Sequence, residues 1–384
     1  MDRRRFLQLS GASLMLWPTA PVWAQTTNSA TSTAGKKLVW VLLRGALDSL
    51  HTVIPVADNN LRQHRPKLTD GWLPSALPLS SEFALHPSLK NLHSWYQSGQ
   101  FSPIVAVGSG YDSRSHFDGQ DFLESGLGQI DHDSGWLARA INSRHAQGLA
   151  IAQTTPIAFR SAEQVMEWFP SRFRLSKEDT YAALMDMYEE TPSMLTSLQE
   201  GLAARDLLAL DQAKENKKAT FKSLAAACGT LMTSDNGPDC AMLELGGWDT
   251  HNNQVNRLNR QLTELDQGLA ALKESLGDEW RNTVVVVSTE FGRTVRENGT
   301  AGTDHGTASC MLVAGGAMKG GSVLGAWPGL EEQQLFQGRD LMPTSSAFRW
   351  WATILAQHWG LTESQLQTVL PGSPRYEVNL MRQS

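Results

Sequence analysis

Three times between Gly246 and Gly306 an apolar run meets a glycine-flanked loop that carries acids and imidazoles. Cys240-Ala-Met-Leu-Glu-Leu245 empties into Gly246-Gly-Trp-Asp249-Thr-His251, and Thr283-Val-Val-Val-Val-Ser288 into Glu290-Phe-Gly-Arg293. Gly302-Thr-Asp304-His305-Gly306 stands just before the apolar run Ala308 to Ala314. A β-branched run with no polar alternation predicts a strand buried on both faces, and so a sheet covered by helices on each side. An open sheet of that kind presents its ligand-binding groups where strands give way to loops. Three clusters within one stretch therefore predict a single site, with α/β architecture and a mostly parallel central sheet sandwiched by helices.

The rest of the chain fits this frame. Leu38 to Leu43 reads as a first central strand that empties into Arg44-Gly-Ala-Leu-Asp48. His86 to Tyr96 has apolar residues at helical spacing, and Ser102 to Val107 reads as the next strand. That β-α-β unit predicts a parallel pair with a right-handed crossover. Gly148 to Ala152 is a candidate third strand, Asn253 to Leu276 a helix with leucines on one face, and Ser346 to Leu361 another helix. From about 176 to 233 the chain is rich in Leu, Ala, Met, Glu and Lys without any motif, which predicts an insertion of two or three helices broken near Thr191-Pro192. Residues 36–384 are expected to form one domain carrying this insertion.

The first residues stand apart. Arg3-Arg4-Arg5-Phe6-Leu7 is a twin-arginine signature, and Val22-Trp23-Ala24 offers small residues where a signal peptidase reads. Pro18 and Pro21 interrupt the apolar run short of the roughly 18 residues a spanning helix requires. The expectation is export by the twin-arginine machinery, cleavage after Ala24, a flexible leader over 25–35, and a periplasmic protein with no stable membrane anchor. Losing three arginines and one aspartate with the leader takes the formal charge from −6 to −8, and no basic block remains to hold nucleic acid. Cys228, Cys240 and Cys310 form no C-x-x-C pair, which excludes a cysteine zinc knuckle. Cys228 and Cys240 are either a disulfide or separate core residues.

Each candidate residue has two readings. Asp48 is an acid at the end of a first central strand, suited to a metal and equally to capping a turn. In Arg114-Ser115-His116-Phe117 at a loop-to-helix junction, Ser115 is either a nucleophile or an N-cap, and His116 either a ligand or a hydrogen-bonded histidine. Asp249 and His251 alternate on one loop and can face one ion. Glu290 and Arg293 are either an ion pair or a ligand and an oxyanion-binding cation. Trp136, Trp248 and Trp327 lie near glycines and are either stacking surfaces for a sugar or packing residues.

Taken together, Leu43-Arg-Gly-Ala-Leu-Asp48, Arg114-Ser-His-Phe117, Gly246-Gly-Trp-Asp-Thr-His251, Ser288-Thr-Glu-Phe-Gly-Arg-Thr294 and Gly302-Thr-Asp-His-Gly306 resemble, in order, the exported bacterial proteins grouped as domain of unknown function 1501. That family is placed in the alkaline phosphatase and sulfatase superfamily. The resemblance implies an alkaline-phosphatase-like fold in which Asp48, His116, Asp249, His251, Glu290, Asp304 and His305 bind one or two divalent metals such as zinc or calcium. Ser115 falls in the nucleophile region, with Arg293 as the charge-neutralising group. Phe291 stands where a metal histidine is usual, and Asp249 and His251 are two apart rather than four. Those departures imply one metal or a remodelled pair. The implied function is a metal-dependent hydrolase of phosphate or sulfate esters. The alternative is a non-catalytic periplasmic protein of the same fold that binds an anionic ligand, a glycan or a protein partner.

Overall fold

The computed structural model describes residues 35–69, 72–170, 178–212 and 219–382. The twin-arginine signature, the cleavage motif and the leader up to Ala34 lie outside the described residues. Eight strands form one sheet: β1 (Lys37–Arg44), β2 (Phe101–Gly108), β3 (Gly148–Ile151), β4 (Val165–Glu167), β5 (Cys240–Gly246), β6 (Thr283–Thr289), β7 (Ser309–Ala314) and β8 (Ser345–Ser346). Their spatial order is β8-β2-β7-β6-β1-β5-β3-β4. All neighbours are parallel except that β7 runs antiparallel to both β6 and β2.

Strand β1 shows why the run Leu38 to Leu43 carries no polar residue. Val39, Val41 and Leu43 pack into one core, with leucines of the long helix Gln254–Leu276. Leu38, Trp40 and Leu42 pack into the other, with Trp136, Trp351 and Leu355. With both faces covered, each side chain is removed from water, worth about 1.5–3 kcal/mol apiece before the cost of ordering the chain. The one indole in this strand is satisfied: Trp40 Nε1 donates to Ser288 Oγ of β6 at 2.9 Å.

The helices follow the predicted order. α1 is Lys90–Gln97, α2 His116–Ser125 and α3 Trp136–Asn142. The segment from 178 to 232 forms α4 (Glu178–Tyr188), α5 (Pro192–Gln212) and α6 (Phe221–Met232) outside the sheet, with the break at Pro192 as expected. α7 is Gln254–Leu276 and α8 Ala347–Ile354. A second, three-stranded sheet of two-residue strands, Val53–Ile54, Leu77–Pro78 and Ala84–Leu85, flanks the main one.

One expectation needs correction. Strands β1 and β2 run in the same direction but are not neighbours, because β6 and β7 stand between them. The helical spacing between the two runs could show a crossover but not how many strands it passes. Cys228 and Cys240, left open as a pair, are both free and buried, and Cys228 Sγ lies 3.7 Å from Met232 Sδ. Burial pushes the Cys228 thiol well above its ordinary range. No described helix is long and apolar enough to cross a membrane.

Candidate metal centre

The antiparallel strand explains how the third sequence cluster reaches the other two. Parallel strands β1, β5 and β6 end at one edge of the sheet, and β7, running the other way, begins there. Loop 302–308 therefore enters β7 beside the loops that leave β5 and β6. Thr294 N donates to Asp304 O at 2.9 Å, and Thr303 N to Thr250 O at 3.2 Å, joining the three loops. Glycine is what permits this approach. A Cβ at Gly302 would stand 2.3 Å from the His251 carbonyl, and one at Gly306 2.4 Å from the Arg293 carbonyl carbon.

Four side-chain atoms converge at this edge. His305 Nε2 lies 3.0 Å from both His116 Nε2 and His251 Nε2. Asp249 Oδ1 lies 2.9 Å from His251 Nε2, 3.2 Å from His305 Nε2 and 3.4 Å from His116 Nε2. A tetrahedral ion with ligands at 2.0–2.1 Å sets its donors about 3.3 Å apart. Five spacings, 2.9–3.4 Å, are of that size, but His251 stands outside the group whose ligand atoms all lie within 4.8 Å of one another, so the compact set is His116, Asp249 and His305.

The opposite ring atoms decide what the converging nitrogens are. His116 Nδ1 is 2.7 Å from Glu290 Oε1, His251 Nδ1 is 3.0 Å from Asp304 Oδ1, and His305 Nδ1 is 2.9 Å from the Arg114 carbonyl. Each partner can only accept, so in each neutral ring Nδ1 carries the proton and Nε2 presents a lone pair. Three lone pairs and a carboxylate oxygen facing one another repel unless a cation lies between them. Imidazoles oriented by outer carboxylates or a carbonyl are the usual surroundings of a metal-binding histidine. Three carboxylates, Asp249, Glu290 and Asp304, less the Arg293 guanidinium leave a formal −2, which a divalent ion cancels. The residues fit such an ion, and His116, Asp249 and His305 also form a group whose ligand atoms lie within 4.8 Å of one another.

The electrostatics carry the same signature. Burial opposes the charge on Asp249, but the Arg293 hydrogen bond and charge, with His251 and His116, hold its carboxyl below the usual range. Burial also disfavours a charged His116, yet Glu290 and Asp249 outweigh it and raise its affinity for a proton. At His305 burial wins, aided by His116 and Arg293, and the ring is pushed toward neutrality.

The remaining candidates sit around this centre or apart from it. Glu290 is fully buried and accepts from Gly45 N at 2.8 Å, Ala46 N at 3.1 Å and Thr289 Oγ1 at 2.8 Å, which fixes the carboxylate on His116. Asp304 is held on His251 by Asn298 Nδ2 at 3.2 Å. Arg293 is 2% exposed, donates from Nη1 to Asp249 Oδ1 at 2.7 Å, and gives its other nitrogens to Thr303. Ser115 is the N-cap of α2, its hydroxyl accepting from Asp118 N at 3.4 Å, directly before His116.

Asp48 has a different engagement. Both its oxygens accept from Arg65 Nη1 at 2.8 Å, and Gln254 Nε2 donates to Oδ2 at 2.5 Å. Its backbone-capping role toward His51 N, one of the two readings of its sequence position, is present at 3.3 Å. Of the three tryptophans, Trp136 and Trp248 are fully buried packing residues. Trp327 lines a cavity of about 330 Å³ with Phe83 and Tyr96.

Several working residues had no sequence signal. Arg65 lies in a polar stretch and becomes the partner of Asp48 only through the fold. Arg114 adopts φ 59°, uncommon outside glycine, and offers its carbonyl to His305. Asn298, in Glu297-Asn298-Gly299, looks like a turn residue, yet its amide also holds the His251 carbonyl at 2.9 Å.

Comparison with known proteins adds the following. The family described as "Protein of unknown function (DUF1501)" matches residues 35–370. No curated protein matches. Among solved structures, the C-terminal periplasmic domain of EcEptC from Escherichia coli, in complex with zinc, overlaps 74% of each chain at 8% identity and a TM-score of 0.38. Murine ectonucleotide pyrophosphatase/phosphodiesterase 5 overlaps 67% of this chain at 11% identity and a TM-score of 0.32, and this chain spans 57% of its length. A protein in the alkaline phosphatase superfamily from Vibrio parahaemolyticus overlaps 82% of this chain and 69% of its own, at 16% identity and a TM-score of 0.28.

Proposed function

The chain belongs to the DUF1501 family of proteins of unknown function, and from that premise we propose that it is an exported, metal-dependent hydrolase of phosphate or sulfate esters. One observation carries this reading: ring nitrogens of His116 and His305 and a carboxylate oxygen of Asp249 stand 3.0–3.4 Å from one another, with His251 Nε2 beside His305 and Asp249. His116, His305 and Asp249 would hold the ion, with His251 beside them. Imidazole nitrogens beside one carboxylate oxygen favour zinc over calcium, which takes six or more oxygens. Bound there, a zinc ion supplies Lewis acidity toward an ester oxygen and lowers the pKa of a nearby hydroxyl. Ser115 stands next to a ligand at the N-terminus of α2, where backbone N–H groups favour an anion, and is the candidate nucleophile. Arg293 acts through Asp249, fixing its carboxylate and balancing its charge.

The Asp48 carboxylate is already neutralised by Arg65, so the reading is of one ion per chain. A bound ion also suits the alternative of a non-catalytic binding protein. Against it, the Asp249 and His251 side chains are each 42% exposed, so the ion would face solvent rather than lie sealed. Export rests on Arg3-Arg4. Replacing both with lysine should retain the protein in the cytoplasm, and unchanged delivery of that variant would argue against the route.

Elemental analysis of protein purified without chelator should find one zinc per chain, lost in His305→Ala. Hydrolysis of p-nitrophenyl phosphate or sulfate should be detectable in wild type and abolished in Ser115→Ala with the metal retained. Metal without any esterase activity would leave the binding-protein alternative. A metal-free wild type would end the hydrolase reading and leave the binding-protein alternative.

A further inference from the structure

We propose that Phe117 and Arg44 form a platform beside the metal centre on which the leaving group rests, so that the site takes a tetrahedral oxyanion ester of a planar, apolar group. This rests on the hydrolase reading above and adds the class of substrate. Phe117 directly follows the ligand His116 on the first turn of α2, and at 70% it is the most exposed large apolar side chain among the described residues. The guanidinium of Arg44 lies over its ring, 4.9 Å from the centroid.

Arg44 ends β1, and its carbonyl accepts from Trp248 N at 3.4 Å, one residue before the ligand Asp249. The two side chains are thus tied by the backbone to two ligands on different loops. Nothing in the packing of α2 requires an exposed phenyl at position 117, since the inward side of that helix is supplied by Leu123 and by Phe122 against Phe348. Phe291, the other phenyl at the centre, is buried and stacked on His116 at 5.0 Å.

Nor is Arg44 committed elsewhere. Its ion partner Glu244 is 3.8 Å away with both side chains over a third exposed, a separation and setting in which a pair contributes little. A ring capped by a guanidinium offers an apolar face edged by positive charge. That combination matches an ester in which an anionic head is joined to a flat ring. An alkyl ester of the same head would meet the charge and leave the ring uncovered.

Non-hydrolysable phosphonates separate the two halves of this recognition. Phenylphosphonate and methylphosphonate should be titrated calorimetrically into the zinc-loaded mature protein, with the metal content of the same sample measured. Phenylphosphonate should bind about three- to tenfold more tightly in wild type, the range for one aromatic contact. The ratio should fall to near one in Phe117→Ala and persist in Phe117→Trp, while Arg44→Gln should weaken both ligands. Equal affinities in wild type, a ratio unchanged in Phe117→Ala, or no binding of either phosphonate to a zinc-loaded sample would each overturn the platform. In all three cases the hydrolase reading stays open to its own assays. A sample that takes up no zinc would instead remove the reading on which the platform rests.

Discussion

Glu290→Gln tests the outer partner of His116, the histidine proposed as a metal ligand. Glu290 Oε1 accepts from Gly45 N, Ala46 N and His116 Nδ1, while Oε2 faces Thr289 Oγ1 at 2.8 Å. Thr289 also lies 2.7 Å from the Leu43 carbonyl and has a single hydroxyl proton for these two acceptors. A glutamine with its oxygen at the Oε1 position keeps all three acceptances. Its amide nitrogen can donate to Thr289 Oγ1, whose proton then goes wholly to Leu43. The substitution keeps these bonds, leaves one amide hydrogen to be accommodated in the buried site, and removes one negative charge. The formal charge about the centre changes from −2 to −1, and His116 becomes a poorer electron donor through a weaker Nδ1–H acceptor. Loss of such a partner costs about 10–100-fold in metal affinity, equivalent to about 1.4–2.7 kcal/mol. Zinc affinity should be read by competition against a chromophoric chelator at pH 7.5, and apo-protein stability by urea denaturation. The expected result is zinc binding weakened within that range with the apo midpoint nearly unmoved. Affinity within twofold of wild type would refute the assignment of Glu290 as the group that orients His116. A collapse of the apo midpoint would refute the claim that the amide is accommodated.

Other outcomes follow from the same geometry. Asp48→Ala should leave the Arg65 guanidinium buried without its partner and lower stability by about 3–5 kcal/mol, while elemental analysis still finds one zinc per folded chain. Two zincs per wild-type chain would show that Asp48 leaves Arg65 to bind metal. Asp112→Ala, outside the centre, should change neither metal content nor stability. Burial raises Glu124 from 4.5 to about 7, against the Ala158 N–H and Gln120 bonds that favour its charge. The fold therefore holds a proton the unfolded chain releases. Its favourable contribution is complete below pH 4.5 and is lost as pH rises through about 7, a swing of about 3 kcal/mol. Urea midpoints of wild type relative to Glu124→Gln should diverge by that amount between pH 5 and 8, and a pH-independent difference would contradict it. His51, lowered to about 3, and His86 and His358, lowered to about 4, act in the opposite sense. Burial keeps these three neutral, so the stability they lend is whole above pH 6.5 and is lost on acidification, which is why the comparison must be made against the Gln variant.

The sheet was legible because its strands are buried on both faces, which removes the polar alternation that makes short strands ambiguous. Leu38 to Leu43 and Thr283 to Ser288 could be read for that reason, and they pair directly, Val39 with Val285 and Val41 with Val287. The neighbour relation of β1 and β2 was not legible. Apolar runs specify that a strand is central, but which strand lies beside it depends on the order of crossovers, and β7 enters antiparallel after a loop of glycines and polar residues. The same reversal brings Asp304 and His305 to the edge where Asp249, His251 and Glu290 lie. Had β7 been parallel, its preceding loop would have opened on the far side of the sheet.

Within the site, residue type and strand-end position predicted which groups gather but not which atoms meet. Acids and histidines are equally good ligands by composition. What separates Asp249 from Glu290 and Asp304 is the second partner of each. Glu290 is turned toward His116 by the Gly45 and Ala46 amides, and Asp304 toward His251 by Asn298, so both carboxylates meet the distal nitrogen of an imidazole. Asp249 is turned by Arg293 toward the three inward nitrogens. Asp48 is removed from the set by Arg65, a residue whose distance in sequence from every cluster gave it no claim on the site. A carboxylate that the fold keeps ionised needs a compensating positive charge, and the chain can supply that charge as an arginine or leave it to a bound cation. At Asp48 the guanidinium meets that need within the fold. At Asp249 one guanidinium meets three surrounding carboxylates and three imidazole lone pairs, and the shortfall of two charges is what a single divalent ion would fill.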